Sequence, residues 1–471
     1  MLKLNHNGGG IKMNKKGFTL IEIIVVLALL GAIMLLVVPN ITKNFKESKK
    51  RLFYDNVLGI YSSASRTYFS QDNASNKSFS NTGVKLDVDL SDDITYRVKV
   101  DSYGVVLSIY VTDGTYTYKL DNANGISKKD IKLANVIEGK VDGYLTLYEQ
   151  LFKDNPTIST RTDFSTPFTT NTVNTLYKST ENGTDVYYFA GQDTESTPIN
   201  NWVKFGKNSS NQDLYWRIIR TNADGSIKLL YSGTSPDTTT GYIGFSRFRT
   251  NYNNSKYVGY MYGDRDATLE EARTNTNNST IKTYIDNWYA SNMTSYTKYL
   301  SPTAVYCNDR EVGSGTYSAA GSAFYYAAYT RLATNKTPTY DCTNNNDKFT
   351  VDASSGNGKL TYPIALMTAD EIAYAGGRTG QETPMWYYTN SSLESSTGTI
   401  SWWSLSPNLW NGAARSWFVF GSGRPGDFGD GHVDDSRGVR PAVSLKSCVK
   451  YSTGNGTSET PYEIVETSSG C

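Results

Sequence analysis

The chain has 471 residues and a formal net charge of +1, with 38% hydrophobic and 19% charged residues. This balance predicts two or three folded units and lacks the basic excess of a nucleic-acid-binding protein. The 36 Tyr and 40 Gly, together with many Asn, Ser and Thr, favour strands and turns over helical bundles and are typical of extracellular β-rich proteins.

The first predicted element is an apolar helix near the N-terminus, in the segment KKGFTLIEIIVVLALLGAIMLLVVPNI (15–41). From Phe18 to Val38 every residue is apolar or small except Thr19 and Glu22, and at about 1.5 Å per residue such a helix spans a hydrocarbon core. Lysines precede it, so the positive-inside tendency places the N-terminus in the cytoplasm and the rest of the chain outside. A secretory signal peptide is the alternative, but its apolar core would be shorter and would end at a small-x-small cleavage site. We therefore predict a transmembrane helix, 18–38, that stays on the mature protein.

This segment resembles the N-terminus of type IV pilins and pseudopilins, because Gly17, Phe18, Glu22 and Pro39 stand at that family's relative positions. The resemblance implies that a prepilin peptidase cleaves between Gly17 and Phe18 and methylates the new amino group of Phe18. It also implies assembly with other pilin subunits at a platform in the inner membrane. Met13 begins a leader of the usual short kind, so it competes with Met1 as the true start.

Glu22 is an unusual residue for a segment that lies in lipid. A carboxylate in hydrocarbon costs about 2.5 kcal/mol or more and persists where a partner offsets that cost. The amino group that cleavage creates at Phe18 is such a partner, one helical turn away. In a filament the same pair forms between neighbouring helices, and the resemblance implies that it sets their axial register. In the alternative interpretation the segment is a plain membrane anchor, and Glu22 reaches the headgroups.

The helix is predicted to continue to residue 70 and to pack on a small antiparallel sheet. Apolar residues from Ile41 to Tyr68 recur at steps near three, four and seven, which indicates an amphipathic helix, and Pro39 is expected to bend it. Residues 95–120 alternate apolar and polar side chains and break at two Gly-containing turns, which predicts a three-stranded meander. The pilin resemblance implies the same plan.

Residues 155–182 are rich in Thr, Ser and Asn without periodicity, which predicts a linker. The residues after it indicate a second, larger domain. A strand, a turn and a strand from Leu214 to Tyr231 predict a hairpin, and Thr368 with Glu371 forms a capping-box pattern. The TADE, WWSLSP and GVRPAVSL motifs resemble bacterial surface domains with a C-type-lectin-like or formylglycine-generating-enzyme-like fold, over 183–450. That fold presents a loop-rich ligand face, which in some members a retroelement diversifies.

The stretch between WWSLSP and GVRPAVSL would lie on such a face. It combines aromatic residues and Arg with many glycines, a composition that suits recognition. The predicted ligand-facing residues are Trp410, Arg424, Phe428 and His432. The alternative is that alternate aromatic residues of this stretch fill the core of a strand.

The four cysteines lie between residues 307 and 471 and form no CxxC pair, so a zinc ribbon is excluded. Outside the cell two disulfides are expected. We favour Cys307 with Cys342 and Cys448 with Cys471, because each pair closes a local loop. Buried free thiols are the alternative.

Neither catalysis nor a cofactor is predicted. The two histidines are His6, in the leader, and His432, so the mature chain offers only His432. A histidine-based triad or a multi-histidine metal site cannot be built from it without other ligands. Four acids could supply oxygens to Ca²⁺, but their spacing is not that of an EF-hand loop and favours a solvated turn. They are Asp427, Asp430, Asp434 and Asp435.

The sequence thus predicts an α+β protein, in which a long N-terminal helix packs on a small sheet and a β-rich lectin-like domain follows. Its predicted segments are a leader (1–17), a long helix (18–70), a pilin-like β head (71–154), a linker (155–182), the lectin-like domain (183–450) and a strand and tail (451–471). The expected function is that of a filament subunit or minor tip pilin that begins as a single-pass membrane prepilin and displays an extracellular domain for adhesion to a protein or glycan. The alternatives are a pseudopilin with a structural role in secretion or DNA uptake, and a membrane-anchored enzyme.

Overall fold

The computed structural model describes residues 20–70, 78–81, 84–91, 93–122, 124–139, 145–168, 173–380, 383–467 and 470–471. Over these residues the protein is α+β and largely β-rich, as the sequence predicts. The chain divides into two compact units, Met1–Gly143 and Tyr144–Cys471.

The first unit is built on a long helix, α1 (Leu20–Ser70). Its second half buries an apolar stripe at the spacing that the sequence predicts. The stripe comprises Phe53, Val57, Ile60, Ala64 and Tyr68. It packs in one cluster with strand residues such as Val98, Ile109 and Tyr118, each 0% exposed. This burial of one face stabilises the helix through tertiary packing.

The sheet of this unit is antiparallel, with strand order β1-β2-β3-β4-β5. The strands are β1 (Ser78–Ser80), β2 (Thr95–Val100), β3 (Val106–Thr112), β4 (Tyr116–Asp121) and β5 (Ile137–Glu138). The predicted meander is β2-β3-β4. At its first turn, Asp101 Oδ1 accepts hydrogen bonds from the backbone N–H groups of Tyr103 (2.8 Å) and Val105 (2.9 Å). Gly104 adopts φ +72° there, a conformation that glycine reaches without strain.

The residues predicted for processing and assembly lie at the limit of the described chain. Gly17 and Phe18 lie outside the described residues, and Glu22 and Pro39 belong to α1 while their side chains lie outside them. Among the described residues, no helix combines the length and the apolar character needed to cross a membrane.

In its described residues, the second unit contains a large sheet of ten strands and a second sheet of seven strands. The main path of the large sheet has the strand order β19-β24-β11-β10-β8-β7-β6. A branch leaves this path at β10, where β9 pairs with β10, β26 pairs with β9, and β25 pairs with β26. Its strands are β6 (Thr157–Thr160), β7 (Thr175–Glu181), β8 (Thr184–Tyr188), β9 (Trp202–Lys207), β10 (Asp213–Thr221), β11 (Ile227–Tyr231), β19 (Ile364–Leu366), β24 (Pro441–Leu445), β25 (Tyr451–Thr453) and β26 (Tyr462–Ile464).

The second sheet has the order β12-β23-β20-β17-β16, and β21 pairs with both β20 and β22. Its strands are β12 (Phe245–Arg247), β16 (Val312–Ser314), β17 (Phe324–Tyr326), β20 (Trp402–Trp410), β21 (Ala414–Val419), β22 (Phe428–His432) and β23 (Ser436–Gly438). Short pairs are formed by β13 (Met261–Tyr262) with β14 (Asn277–Asn278) and by β15 (Tyr306–Cys307) with β18 (Lys348–Phe349).

Helices are short in the described part of the second unit. They are α2 (Leu147–Asp154), α3 (Leu269–Ala272), α4 (Thr280–Asn292), α5 (Ala327–Tyr329), which continues into a π-helical turn (Thr330–Asn335), and α6 (Ala369–Tyr374). The predicted capping box is present at α6: Glu371 N–H donates to Thr368 Oγ1 at 3.1 Å, and Thr368 N–H donates to Glu371 Oε2 at 2.9 Å. Residues 386–388 form a turn, and Thr389 forms an isolated bridge with Ser395.

The segment 155–182, which the sequence predicts to be a linker without regular structure, contains two strands in its described part. β6 and β7 lie within it and pair in the large sheet, where Leu176 and Tyr177 are buried. Threonine-rich segments show little apolar periodicity, yet β-branched threonine fits a pleated strand once neighbours supply hydrogen bonds. The second unit therefore starts at Tyr144 and includes α2, which the sequence assigned to the pilin-like head.

The four cysteines pair as Cys307–Cys342 and Cys448–Cys471, with Cα–Cα distances of 5.8 and 5.7 Å. This is the pairing of local loops that the sequence favours. The first bridge joins the end of β15 to the segment before β18, and the second joins the C-terminal residue to the segment after β24.

Candidate ligand-binding face

A row of side chains crosses the outer face of the second sheet. The register pairs Tyr325 of β17 with Leu409 of β20, Leu409 with Arg415 of β21, and Arg415 with His432 of β22. Directly paired residues of antiparallel strands project from the same face. We call Tyr325, Leu409, Arg415 and His432 the Tyr325 row.

The Tyr325 row faces solvent. Tyr325 is 38% exposed, and the side chains of Arg415 and His432 are 28% and 38% exposed. Their neighbours along the strands project to the opposite face and are buried, as Phe324, Trp410 and Ala414 show. This alternation follows from the two-residue period of a strand.

Stacked aromatic rings support one end of the row. The rings of Tyr325 and Tyr329 stack with centroids 4.3 Å apart and planes at 28°. Tyr329 lies in turn over Trp417 at 6.2 Å and 22°, and Phe428 meets Trp417 edge-on at 4.9 Å. Trp417 and Phe428 are buried. Tyr325 is thus the outermost ring of a supported stack, and its orientation is fixed by packing.

The other end of the row is polar. Arg415 Nη1 contacts Asp430 Oδ2 at 2.9 Å, and Arg415 Nη2 lies 2.8 Å from His432 Nε2. Because Arg only donates hydrogen bonds, His432 Nε2 accepts and the ring proton lies on Nδ1, 4.0 Å from Asp434 Oδ1. Tyr252, 43% exposed, lies beside the His432 ring with centroids 5.5 Å apart. The chain places donors, acceptors and an aromatic ring side by side on an open surface.

The structure places the four predicted ligand-facing residues differently from one another. His432 lies in the Tyr325 row. Arg424 is 63% exposed in the loop between β21 and β22, where it lies 3.7 Å from Asp427 Oδ2. Trp410 and Phe428 are not on the surface, since both are core residues at 2% and 1% exposure. Trp410 projects inward because it alternates with Leu409, and Phe428 is covered because Trp417 packs against it.

Sequence reasoning missed Tyr252, Tyr325, Tyr329, Leu409 and Arg415. Tyr325 and Tyr329 lie in FYYAAY, about eighty residues before the stretch that the sequence singled out. The one local signal is their spacing of four residues, which suits a helix-like turn. Their approach to Trp417 depends on the pairing of β17 with β20.

A small charged cavity lies elsewhere in the second unit, with a volume of about 20 Å³, room for roughly one water molecule. Its charged lining residues are Glu181, Arg220, Lys228, Asp309, Arg331, Asp341, Asp370 and Glu371. Arg331 binds Asp370 through two hydrogen bonds, of 3.0 and 2.8 Å, and Asp309 at 2.6 Å. The paired charges and the small volume make this a structural ion network.

Asp309 is expected to make stability depend on pH. Burial raises the pKa of its carboxyl to about 6, and the nearby Arg331 guanidinium opposes that shift. The folded state then binds a proton that the unfolded state releases between about pH 4 and 6, so this contribution to stability falls as pH rises through that window. Asp309→Asn removes this pH-dependent contribution to stability. The difference in unfolding free energy between wild type and variant is therefore expected to change by about 2 to 3 kcal/mol from pH 4 to pH 7. Urea titrations at both pH values measure the difference, and a constant difference would contradict the assignment. Asp264→Asn is the matched control, because Asp264 is an exposed aspartate of the same unit.

The acids near His432 are engaged with protein groups. Asp427 is 1% exposed and accepts from Gly380 N–H at 2.9 Å, Asp430 binds Arg415, and Asp435 binds Arg437 at 2.8 Å. Among the residues that the structure describes, no group of three or more His, Cys, Asp or Glu side chains is placed to hold a metal ion.

Comparison with known families finds a match at the N-terminal segment. Residues 12–38 match the prokaryotic N-terminal methylation motif. This range includes Gly17, Phe18 and Glu22, so the chain carries a motif of the prepilin type. Comparison with curated proteins and with solved structures yields no significant match.

Proposed function

We propose that this chain is a pilin-like subunit that a prepilin peptidase cleaves between Gly17 and Phe18, and that it displays its second unit outside the cell for attachment. The observation that carries the proposal is the methylation motif at 12–38 on a chain whose second unit, Tyr144–Cys471, forms a separate β-rich body. A plain anchor would not need the processing motif.

The second unit is the proposed binding domain, of a lectin-like kind. Its antiparallel strands, its disulfides and its open face support a role outside the cell, where disulfides form and persist. The Tyr325 row is the proposed contact surface, because aromatic and Arg side chains dominate binding energy at interfaces.

The motif supports display on a membrane and then on a filament. The proposed partners are the prepilin peptidase, other pilin subunits and the inner assembly platform. The size of the second unit favours a position at the filament tip, since a body of this bulk repeated along a filament must be held outside the helical core. We propose binding rather than catalysis as its activity.

Two measurements test the processing and the display. Mass spectrometry of the mature N-terminal peptide is expected to find methylated Phe18, and immunogold labelling is expected to find the second unit at filament tips. Cells that lack the chain are expected to lose attachment. Normal attachment by such cells, with the filament intact, would instead support a structural pseudopilin.

Glu22→Ala is expected to leave membrane insertion and cleavage intact and to reduce incorporation into filaments severalfold. The physical reason is the loss of the ion pair between Glu22 and the amino group of Phe18. That amino group has no other partner of opposite charge in the apolar segment. Immunoblots of sheared filaments and of membranes measure the two pools. Glu47→Ala is the control, because Glu47 is an exposed acid on the same helix, and normal filament content in the Glu22 variant would refute the assembly role.

A further inference from the structure

We propose that the Tyr325 row binds a neutral oligosaccharide, with one pyranose ring lying on Tyr325 and the hydroxyl groups of a linked sugar bonded to Arg415, Asp430 and His432. This rests on the proposed function in attachment and names the class of its ligand. The proposal follows from four properties of the face: a supported aromatic ring, adjacent hydrogen-bonding groups, cancelled charge and an open shape.

The aromatic part of the face suits the apolar side of a sugar ring. A pyranose presents C–H groups on one side, and these pack on the flat face of an aromatic ring. Tyr325 has only two side-chain torsions, and stacking on Tyr329, which itself lies over Trp417, already restricts them. Binding therefore costs little side-chain entropy, which is the advantage of a preorganised site.

The polar part of the face matches hydroxyl groups, which both donate and accept. Arg415 supplies N–H donors, and Asp430 supplies an acceptor 2.9 Å away. His432 adds a ring nitrogen beside them. The Arg415–Asp430 pair uses only part of the hydrogen-bonding capacity of the two groups, since a guanidinium has five N–H protons and a carboxylate about four lone-pair sites. The remaining donors and acceptors can engage two neighbouring hydroxyls of one sugar.

The charge of the face favours a neutral ligand. Arg415 is paired with Asp430, so its charge is largely compensated, and Asp434 lies on the far side of His432. An acidic glycan or a phosphate group would meet these carboxylates as well as the guanidinium. An apolar peptide would find Leu409 as the aliphatic member of the row and would bury the Arg415–Asp430 pair at a cost.

The shape of the face favours a short chain. The row crosses four strands, β17, β20, β21 and β22, which at about 4.8 Å between strands is about 14 Å. Tyr252 extends it past His432 with a second exposed ring. A strip of this length with an aromatic ring at each end fits two or three linked sugars.

The test uses the full chain in detergent micelles on an array of neutral oligosaccharides with sialylated and sulfated counterparts. The wild type is expected to bind a subset of neutral glycans, and Tyr325→Ala is expected to weaken that binding about tenfold or more, while Tyr325→Phe retains it. Tyr103→Ala is the matched control, because Tyr103 is 79% exposed in the first unit and its loss should leave binding unchanged. His432→Ala provides a second variant if Tyr325→Ala fails to fold.

The outcomes separate this inference from the proposed function. The inference would be overturned if the wild type bound only acidic glycans. It would also be overturned if Tyr325→Ala and His432→Ala both left glycan binding unchanged. So would attachment of cells through a protein receptor with no glycan bound on the array, although the proposed function would then stand. If cells from which the chain has been deleted still bind glycans and still attach, the proposed function would be overturned.

Discussion

Glu371→Ala is expected to lower the unfolding free energy of the second unit by about 3 to 5 kcal/mol, because it leaves buried cations without their counter-charge. Glu371 is 2% exposed, and its Oε1 accepts from Lys228 Nζ at 2.7 Å and from Arg220 Nε at 3.0 Å. Lys228 is 1% exposed. The same carboxylate also closes the capping box of α6 through Thr368.

The effect is expected to depend on pH. Burial raises the pKa of Glu371, but the charges of Lys228 and Arg220 outweigh it and hold that pKa below its ordinary value. The contribution is therefore complete above the ordinary pKa of a glutamate and is lost as pH falls through the folded-state pKa. The destabilisation by Glu371→Ala should accordingly be largest near neutral pH and should shrink in acid.

Tryptophan fluorescence during urea unfolding measures this loss, since all eight tryptophans of the sequence belong to the second unit. Glu270→Ala is the matched control, because Glu270 is 69% exposed and its partner Arg273 keeps Glu311 and Asp347. A loss below about 1 kcal/mol at pH 7, the range of surface ion pairs, would show that the ion network does not stabilise the fold.

Replacing Cys307 and Cys342 together by serine is expected to cost about 4 kcal/mol. The bridge closes a loop of 35 residues, and the entropy that a disulfide removes from the unfolded chain grows with loop length. The bridge also holds the end of β15, next to the ion network around Asp309 and Arg331. The same urea titration, without reductant, measures the loss.

The second bridge offers an internal comparison. Cys448 and Cys471 close a shorter loop of 23 residues, so their double serine variant is expected to lose slightly less, about 3.5 kcal/mol. Unfolding of the Cys307–Cys342 variant at the wild-type urea midpoint would mean that the native contacts around β15 hold that loop without the bridge.

Local patterns predicted much of the first unit. The apolar stripe of α1 and the meander β2-β3-β4 depend on residues that lie close in the sequence, and both are present. The hairpin β10-β11 and the capping box of α6 are local in the same sense. Such features are readable because their hydrogen bonds and side-chain contacts join neighbours along the chain.

The differences between the sequence-based predictions and the structure arise from pairing between strands that lie far apart in the sequence. The segment expected as a linker has weak periodicity, and its strands β6 and β7 are strands because the large sheet supplies their partners. Trp410 and Phe428 look like surface anchors among glycines and polar residues, yet the strand alternation and the contact with Trp417 bury them. Composition indicates a recognition surface, while register decides which aromatic residues belong to it.

The sequence by itself determined the processing motif, since Gly17, Phe18 and Glu22 are read by position along a linear segment. It favoured the pairing of cysteines that close local loops, and the structure contains that pairing. Only the tertiary structure decided the candidate face. Tyr325 and His432 are separated by more than a hundred residues, and they share a surface because β17, β20, β21 and β22 pair in one register. A shift of one residue in any of these strands would turn its side chain to the opposite face of the sheet, so no local pattern can specify the row.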